Sequence, residues 1–204
     1  MTQVTSHAHP VDNEAGKMGM WIFLFTELFL FGGLFLVYAV FRALYDADFH
    51  HAAARLDTLI GTINTVVLLV SSMTVAMSIT ALQKSNSRLA IRLILVTIFL
   101  ALVFMVNKYF EWHHKLELNI FPGSIVLQNM ERGELLFFGL YYMMTGLHAL
   151  HVIIGMTLLI ICIFKINSGH IIPGRLLLLE NSGLYWHLVD LIWIFLFPLL
   201  YLLT

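Results

Sequence analysis

GLHALHVIIGMTLLI, residues 146–160, sets His148 and His151 three positions apart inside an otherwise apolar run. The run is the middle of a longer apolar stretch, about residues 135–164. Some 20 apolar residues in a helix cross the hydrocarbon core of a bilayer, so this stretch is long enough to span and to tilt or project. Histidine facing lipid is costly, and polar residues inside spans turn toward other helices or water. The stretch therefore reads as a membrane helix whose histidines point into a bundle.

Composition carries that reading to the whole chain. Its 204 residues are 60% hydrophobic and 11% charged, and the mean hydropathy is +0.88. A soluble domain carries about 25% charged residues. The net charge of −1 and the lack of a basic patch exclude nucleic acid as a partner. The one cysteine, Cys162, has no internal disulfide partner and lies in an apolar run, where it reads as a packing residue. Residues 1–18 form a polar, mildly acidic stretch without the basic start or the cleavage site of a signal peptide. It reads as an N-terminal tail in which His7 and His9 are solvated.

Five stretches qualify as spans, at about residues 20–41, 58–82, 89–110, 135–164 and 183–204. None alternates polar and apolar residues as a porin strand does, so the fold class is all-α. Residues 19–204 read as one integral membrane bundle of five transmembrane helices, with no inverted repeat. Arg92 and Lys108 fall near the ends of span three, where long side chains snorkel to the headgroups. Basic residues on the N-terminal side are Lys17, Lys84, Arg88, Arg92, Lys165 and Arg175; Arg42, Arg55, Lys108, Lys115 and Arg132 lie on the other. Six against five favours a cytoplasmic N-terminus and an external C-terminus.

The intramembrane polar residues are the functional candidates. Glu27, in WIFLFTELFLFGG, sits near the middle of span one. An ionised carboxylate there costs about 2.5–3.5 kcal/mol, so it must face the protein, be protonated or have a partner. Tyr141, Thr145, His148, His151 and Gly155 share one face of span four. His187 and Asp190 share a face of span five, and Asn64, Ser71 and Ser78 one of span two. Such stripes pack against other helices, where small residues allow close approach and polar ones bond across the gap. A buried polar network of Glu27, His148, His151, His187 and Asp190 is the expectation, joining spans one, four and five. His151 and His187 could bracket a haem, but spans four and five carry neither the Glu-x-x-His nor the His i, i+4 pattern of zinc and di-iron sites. No metal or redox cofactor is expected on this chain. In NKYFEWHHK, Lys108, Glu111 and Lys115 are spaced for ion pairs at a helix end, and Trp112 suits the interface belt.

These segments resemble subunit III of the haem-copper oxidases, in its short five-helix form. GLHALHVIIG is similar to that family's Gly-x-His-x-x-His-Val signature, and YWHLVDLIWIFLFPLLYL to its last helix with a Trp-His-x-x-Asp core. MGMWIFLFTELFLFGG is similar to the segment with the family's buried glutamate, and NTVVLLVSSMTVAM to its Asn-Thr, Ser-Ser-x-Thr helix. The likeness runs from about Met18 to the C-terminus. It implies a non-catalytic subunit beside a catalytic subunit I, and other oxidase subunits, in a bacterial-type inner or cell membrane. Haem and copper would sit in the catalytic partner. This chain would stabilise that partner, support proton uptake and bind phospholipid between its helices. Glu27 then matches the buried family glutamate, His148 and His151 the paired histidines, and His187 with Asp190 the last-helix pair. The long form has seven helices, two of which frame its lipid cleft. Five-span members serve cytochrome c oxidases, quinol oxidases and nitric oxide reductases, and glutamate at position 27 leans toward the cytochrome c type. A reading of a different class is an independent proton or ion transporter built on the same polar residues, although the only proline inside a span is Pro198.

Overall fold

The computed structural model describes residues 10–202. Seven helices follow in order: α1 (Pro10–Leu44), α2 (Asp46–Ala53), α3 (Thr58–Gln83), α4 (Ser87–Glu117), α5 (Ile125–Gln128), α6 (Arg132–Asn167) and α7 (Leu177–Tyr201). Five of them, α1, α3, α4, α6 and α7, are long and apolar enough to cross a membrane. They are the five expected spans, and no strand occurs among the described residues. In hydrocarbon each backbone polar group must find a partner within the protein, which a single helix supplies to itself and a lone strand cannot.

Helix α1 begins at Pro10, inside the stretch read from sequence as a tail. A proline suits the first helical turn, where its missing N–H would have no partner. His7 and His9 lie outside the described residues.

The helix ends are tied by side chains. Asp57 caps α3, accepting from the Leu59 and Ile60 backbone N–H groups at 2.9 and 3.2 Å. Asn86 does the same for α4 through Leu89 N–H, at 3.2 Å. The start of α6 is capped from a distance: Gly133 N–H donates to Asp48 of α2 at 3.1 Å. Only glycine fits there, because a Cβ would run into the Asp48 carboxylate and Tyr45. Arg55 adds an ion pair to Glu134 at 3.1 Å, and Phe49 is fully buried. The short α2 is thereby held against α6.

Helices α3 and α4 pack as the most intimate pair, and α7 packs against α1, α3 and α6. The burial of the spans follows: 56% of the apolar stretch of α7 is buried, but only 11% of that of α1. Close approach of α6 and α7 depends on Gly155, where a Cβ would lie 2.7 Å from the Trp186 ring. Gly155→Val is expected to push Trp186 out of place and to cost about 1–3 kcal/mol by overpacking. A chemical-unfolding midpoint matching the parent would show that α6 and α7 do not meet here.

Candidate functional site

Glu27 and His151 meet across the α1–α6 interface. His151 Nδ1 is 2.7 Å from the Leu147 carbonyl, and Nε2 is 2.9 Å from Glu27 Oε2. A carbonyl only accepts, so Nδ1 carries the hydrogen. The line between Nε2 and Oε2 therefore holds one proton, as imidazolium with carboxylate or as imidazole with carboxylic acid. Either way the two groups satisfy each other. Phe31 sets its edge on the His151 ring at 5.3 Å, and Tyr185 stacks on it at 6.3 Å.

The other expected network members lie apart from this pair. His148 is fully buried between Phe104 and Trp193, at ring distances of 5.5 and 5.1 Å, and neither ring nitrogen has a hydrogen-bond partner among the described residues. His187 reaches span two instead, with Nδ1 2.6 Å from Ser72 Oγ. Asp190 is buried, and neither carboxylate oxygen is within bonding geometry of a described donor. Of the five, His148, His151 and Asp190 are buried and Glu27 and His187 half-buried, and no continuous hydrogen-bonded chain joins them among the described residues. The small hydroxyl stripe of α3 serves α7: Trp186 Nε1–H donates to Ser71 at 3.1 Å and Trp193 Nε1–H to Thr65 at 3.0 Å.

This division predicts different costs for the two histidines. His151→Leu leaves Glu27 without its partner and should destabilise the chain by about 1–3 kcal/mol. His148→Leu removes no hydrogen bond and should cost clearly less. Unfolding of the two purified variants side by side checks the order; equal costs would contradict the assigned partners.

The largest buried charged cluster lies nearer the other end of the bundle. Lys108 does not snorkel: its side chain is 2% exposed and turned inward. Its ammonium donates to Glu111 Oε2 at 3.1 Å, Tyr141 OH at 3.1 Å and Tyr201 OH at 2.6 Å. Both phenols donate in turn to Glu111 Oε1, Tyr141 at 2.5 Å and Tyr201 at 2.7 Å. An ammonium has three hydrogens, and all three are used. The cluster ties α4 to α6 and α7 and leaves none of its groups unsatisfied. Inward partners of this quality are the reason Lys108 forgoes the headgroups. Lys115, spaced for a pair with Glu111, instead donates to the Arg55 carbonyl at 3.3 Å and lies over the Phe138 and Tyr141 rings. The i, i+3 spacing of Lys108 and Glu111 was visible in the sequence; nothing in it pointed to Tyr201.

Among the described residues no group of three or more His, Cys, Asp or Glu side chains is arranged to hold a metal ion. A family model described as cytochrome c oxidase subunit III matches residues 2–204. The chain belongs to that family. Subunit III relatives span both donor types of the haem-copper oxidases. Cytochrome c oxidase subunit 3 of Thermostichus vulcanus is 30% identical, over 98% of this chain and 91% of that protein. Cytochrome bo(3) ubiquinol oxidase subunit 3 of Buchnera aphidicola is 26% identical, over 90% of this chain and 92% of its own length. Heme-copper oxidase subunit I+III of Aeropyrum pernix is 30% identical over 95% of this chain, which covers 23% of that longer protein. As a subunit III chain it is a multi-pass membrane protein, and the acid of its first span, Glu27, is held by a histidine of the Gly-x-His-x-x-His-Val segment.

Proposed function

We propose that this chain is the non-catalytic subunit III of a terminal oxidase that takes electrons from cytochrome c, stabilising the catalytic subunit and supporting its proton uptake. The family match over residues 2–204 carries the reading. A relative that combines subunits I and III in one protein supports subunit I as the partner. Haem and copper belong to that partner, and phospholipid is the expected companion of the apolar outer faces. The quinol oxidase alternative rests on the Buchnera aphidicola relative, and donor choice resides in other subunits.

Affinity purification through this chain tests the proposal. A haem-copper subunit should co-purify, and the complex should oxidise reduced cytochrome c with oxygen. Oxidation of quinol alone would move the chain to the quinol branch. Proton flux through liposomes containing only the purified chain would favour the transporter reading.

The proposed site is a bacterial-type cell membrane with the N-terminus in the cytoplasm, from the basic-residue bias on that side. A reporter active only outside the cytoplasm, fused after Thr204, should be active. Activity of a cytoplasmic reporter at the same position would invert the orientation.

A further inference from the structure

Asp190 stands at the middle of α7, 3% exposed, with both carboxylate oxygens unpartnered among the described residues. A bare carboxylate is costly at that depth, whereas a carboxylic acid needs only one acceptor for its hydrogen. The polar side chain beside it is Ser72 of α3. The Ser72 hydroxyl is turned the other way, to His187, one turn before Asp190 on α7, with Oγ 2.6 Å from Nδ1. A hydroxyl donates once and accepts twice. Ser72 can therefore donate to His187 Nδ1 and accept from a protonated Asp190, which places carboxyl, hydroxyl and imidazole in one line.

That line ends at an opening. With Nδ1 accepting, the His187 hydrogen sits on Nε2, and His187 lines a cavity of about 400 Å³ between α1, α3 and α7. Trp21 and Ile79 are among its apolar walls, and Lys17 and Glu180 stand at its charged end, 3.9 Å apart. Glu180 precedes His187 by seven residues, so the cavity descends two helical turns, about 10 Å, along α7. Lys17 and Glu180 are the charged groups that α1 and α7 bring to it; α3 brings Ile79, and α6 contributes no lining residue. The next titratable groups toward this side of α7 are Glu27 of α1 and His151 of α6, which bond each other, and His148 of α6, which lies against Trp193.

We infer that Asp190 is a proton-exchange site that communicates with the N-terminal side of the bundle through Ser72, His187 and this cavity. Outward, the carboxyl proton of Asp190 passes to Ser72 Oγ, the Ser72 hydrogen to His187 Nδ1, and the Nε2 hydrogen to water in the cavity. Serine and histidine each take one proton and give one, the carboxyl ends as carboxylate, and uptake runs the same steps in reverse. The route is one-sided: it loads and unloads Asp190 from the end of the bundle that carries Lys17 and Glu180. It involves only side chains of this chain, so it stands or falls independently of the partnership and the electron donor proposed above.

The test is infrared spectroscopy of the full chain in lipid nanodiscs, transferred from H2O to D2O. Asp190→Asn identifies the carboxylic-acid carbonyl band of Asp190 by its loss. In the parent that band should shift as deuterium replaces hydrogen. In Ser72→Ala and His187→Phe it should persist and shift several-fold more slowly, while Thr62→Val, at an exposed position nearer the other end of α3, exchanges as the parent does. Ser72→Ala removes a single oxygen, so it reports even where a phenylalanine at position 187 does not fit. No band lost in Asp190→Asn would show an ionised carboxylate and overturn the inference. Exchange in Ser72→Ala as fast as in the parent would overturn it too, as would a parent band that does not exchange, the result for a cavity filled by lipid.

Discussion

Glu111→Ala is expected to destabilise the chain by about 3–5 kcal/mol, the largest single-residue effect foreseen for it. The lost carboxylate accepts from Lys108, Tyr141 and Tyr201, so its removal strands a buried ammonium and two buried phenols. Removing one member of a buried ion pair is costly because the remaining charge has no water to turn to. Replacing both charges at once, Lys108→Met with Glu111→Leu, should recover a substantial part, since apolar groups of similar volume need no partner. The measurement is denaturation of the purified chain in mixed micelles, followed by tryptophan fluorescence. Trp193 reports locally, because its ring lies 5.4 Å from the Lys108 ammonium. If the single and double variants unfold together with the parent, the cluster does not hold the helices.

Stripping the chain from its oxidase should separate chemistry from durability. A preparation without it is expected to keep its haem spectrum and most of its initial oxygen uptake, and then to lose activity much faster during turnover. Proposed as a subunit that supplies neither metal ligands nor a redox group, it is not on the electron path. Its removal would expose the apolar surface of the catalytic subunit and loosen the lipid around the proton-uptake side. Oxygen consumption against time, at matched haem content and with the chain present or absent, is the check. Immediate and complete loss, reversed by adding the chain back, would mean that it carries part of the chemistry itself.

The spans and their polar stripes could be read along the chain because both follow from one-dimensional patterns. Apolar length marks a membrane helix, and spacing of three or four marks a face, so burial of His148, His151 and Asp190 follows from such patterns. Partner choice does not. Glu27 and His151 are 124 positions apart, and no local rule selects His151 over His148, which lies three residues away. The difference is a rotation of about 60° around α6: His151 faces α1, while His148 faces Phe104 of α4 and Trp193 of α7.

Lys108 shows the limit most plainly. Near a span end a lysine has two physical options, the headgroups outside or an acceptor inside, and the local sequence favours the first. The second wins because Tyr201, 93 positions away, and Tyr141 arrive at the same depth as Glu111 and complete its coordination. Five long apolar stretches without strand-like alternation already imply five membrane helices, since backbone groups in hydrocarbon need partners inside the protein, and the motifs point to the family. Which buried polar groups meet emerges in the packed bundle, because it depends on the rotation and depth of each helix against its neighbours, quantities no single helix encodes.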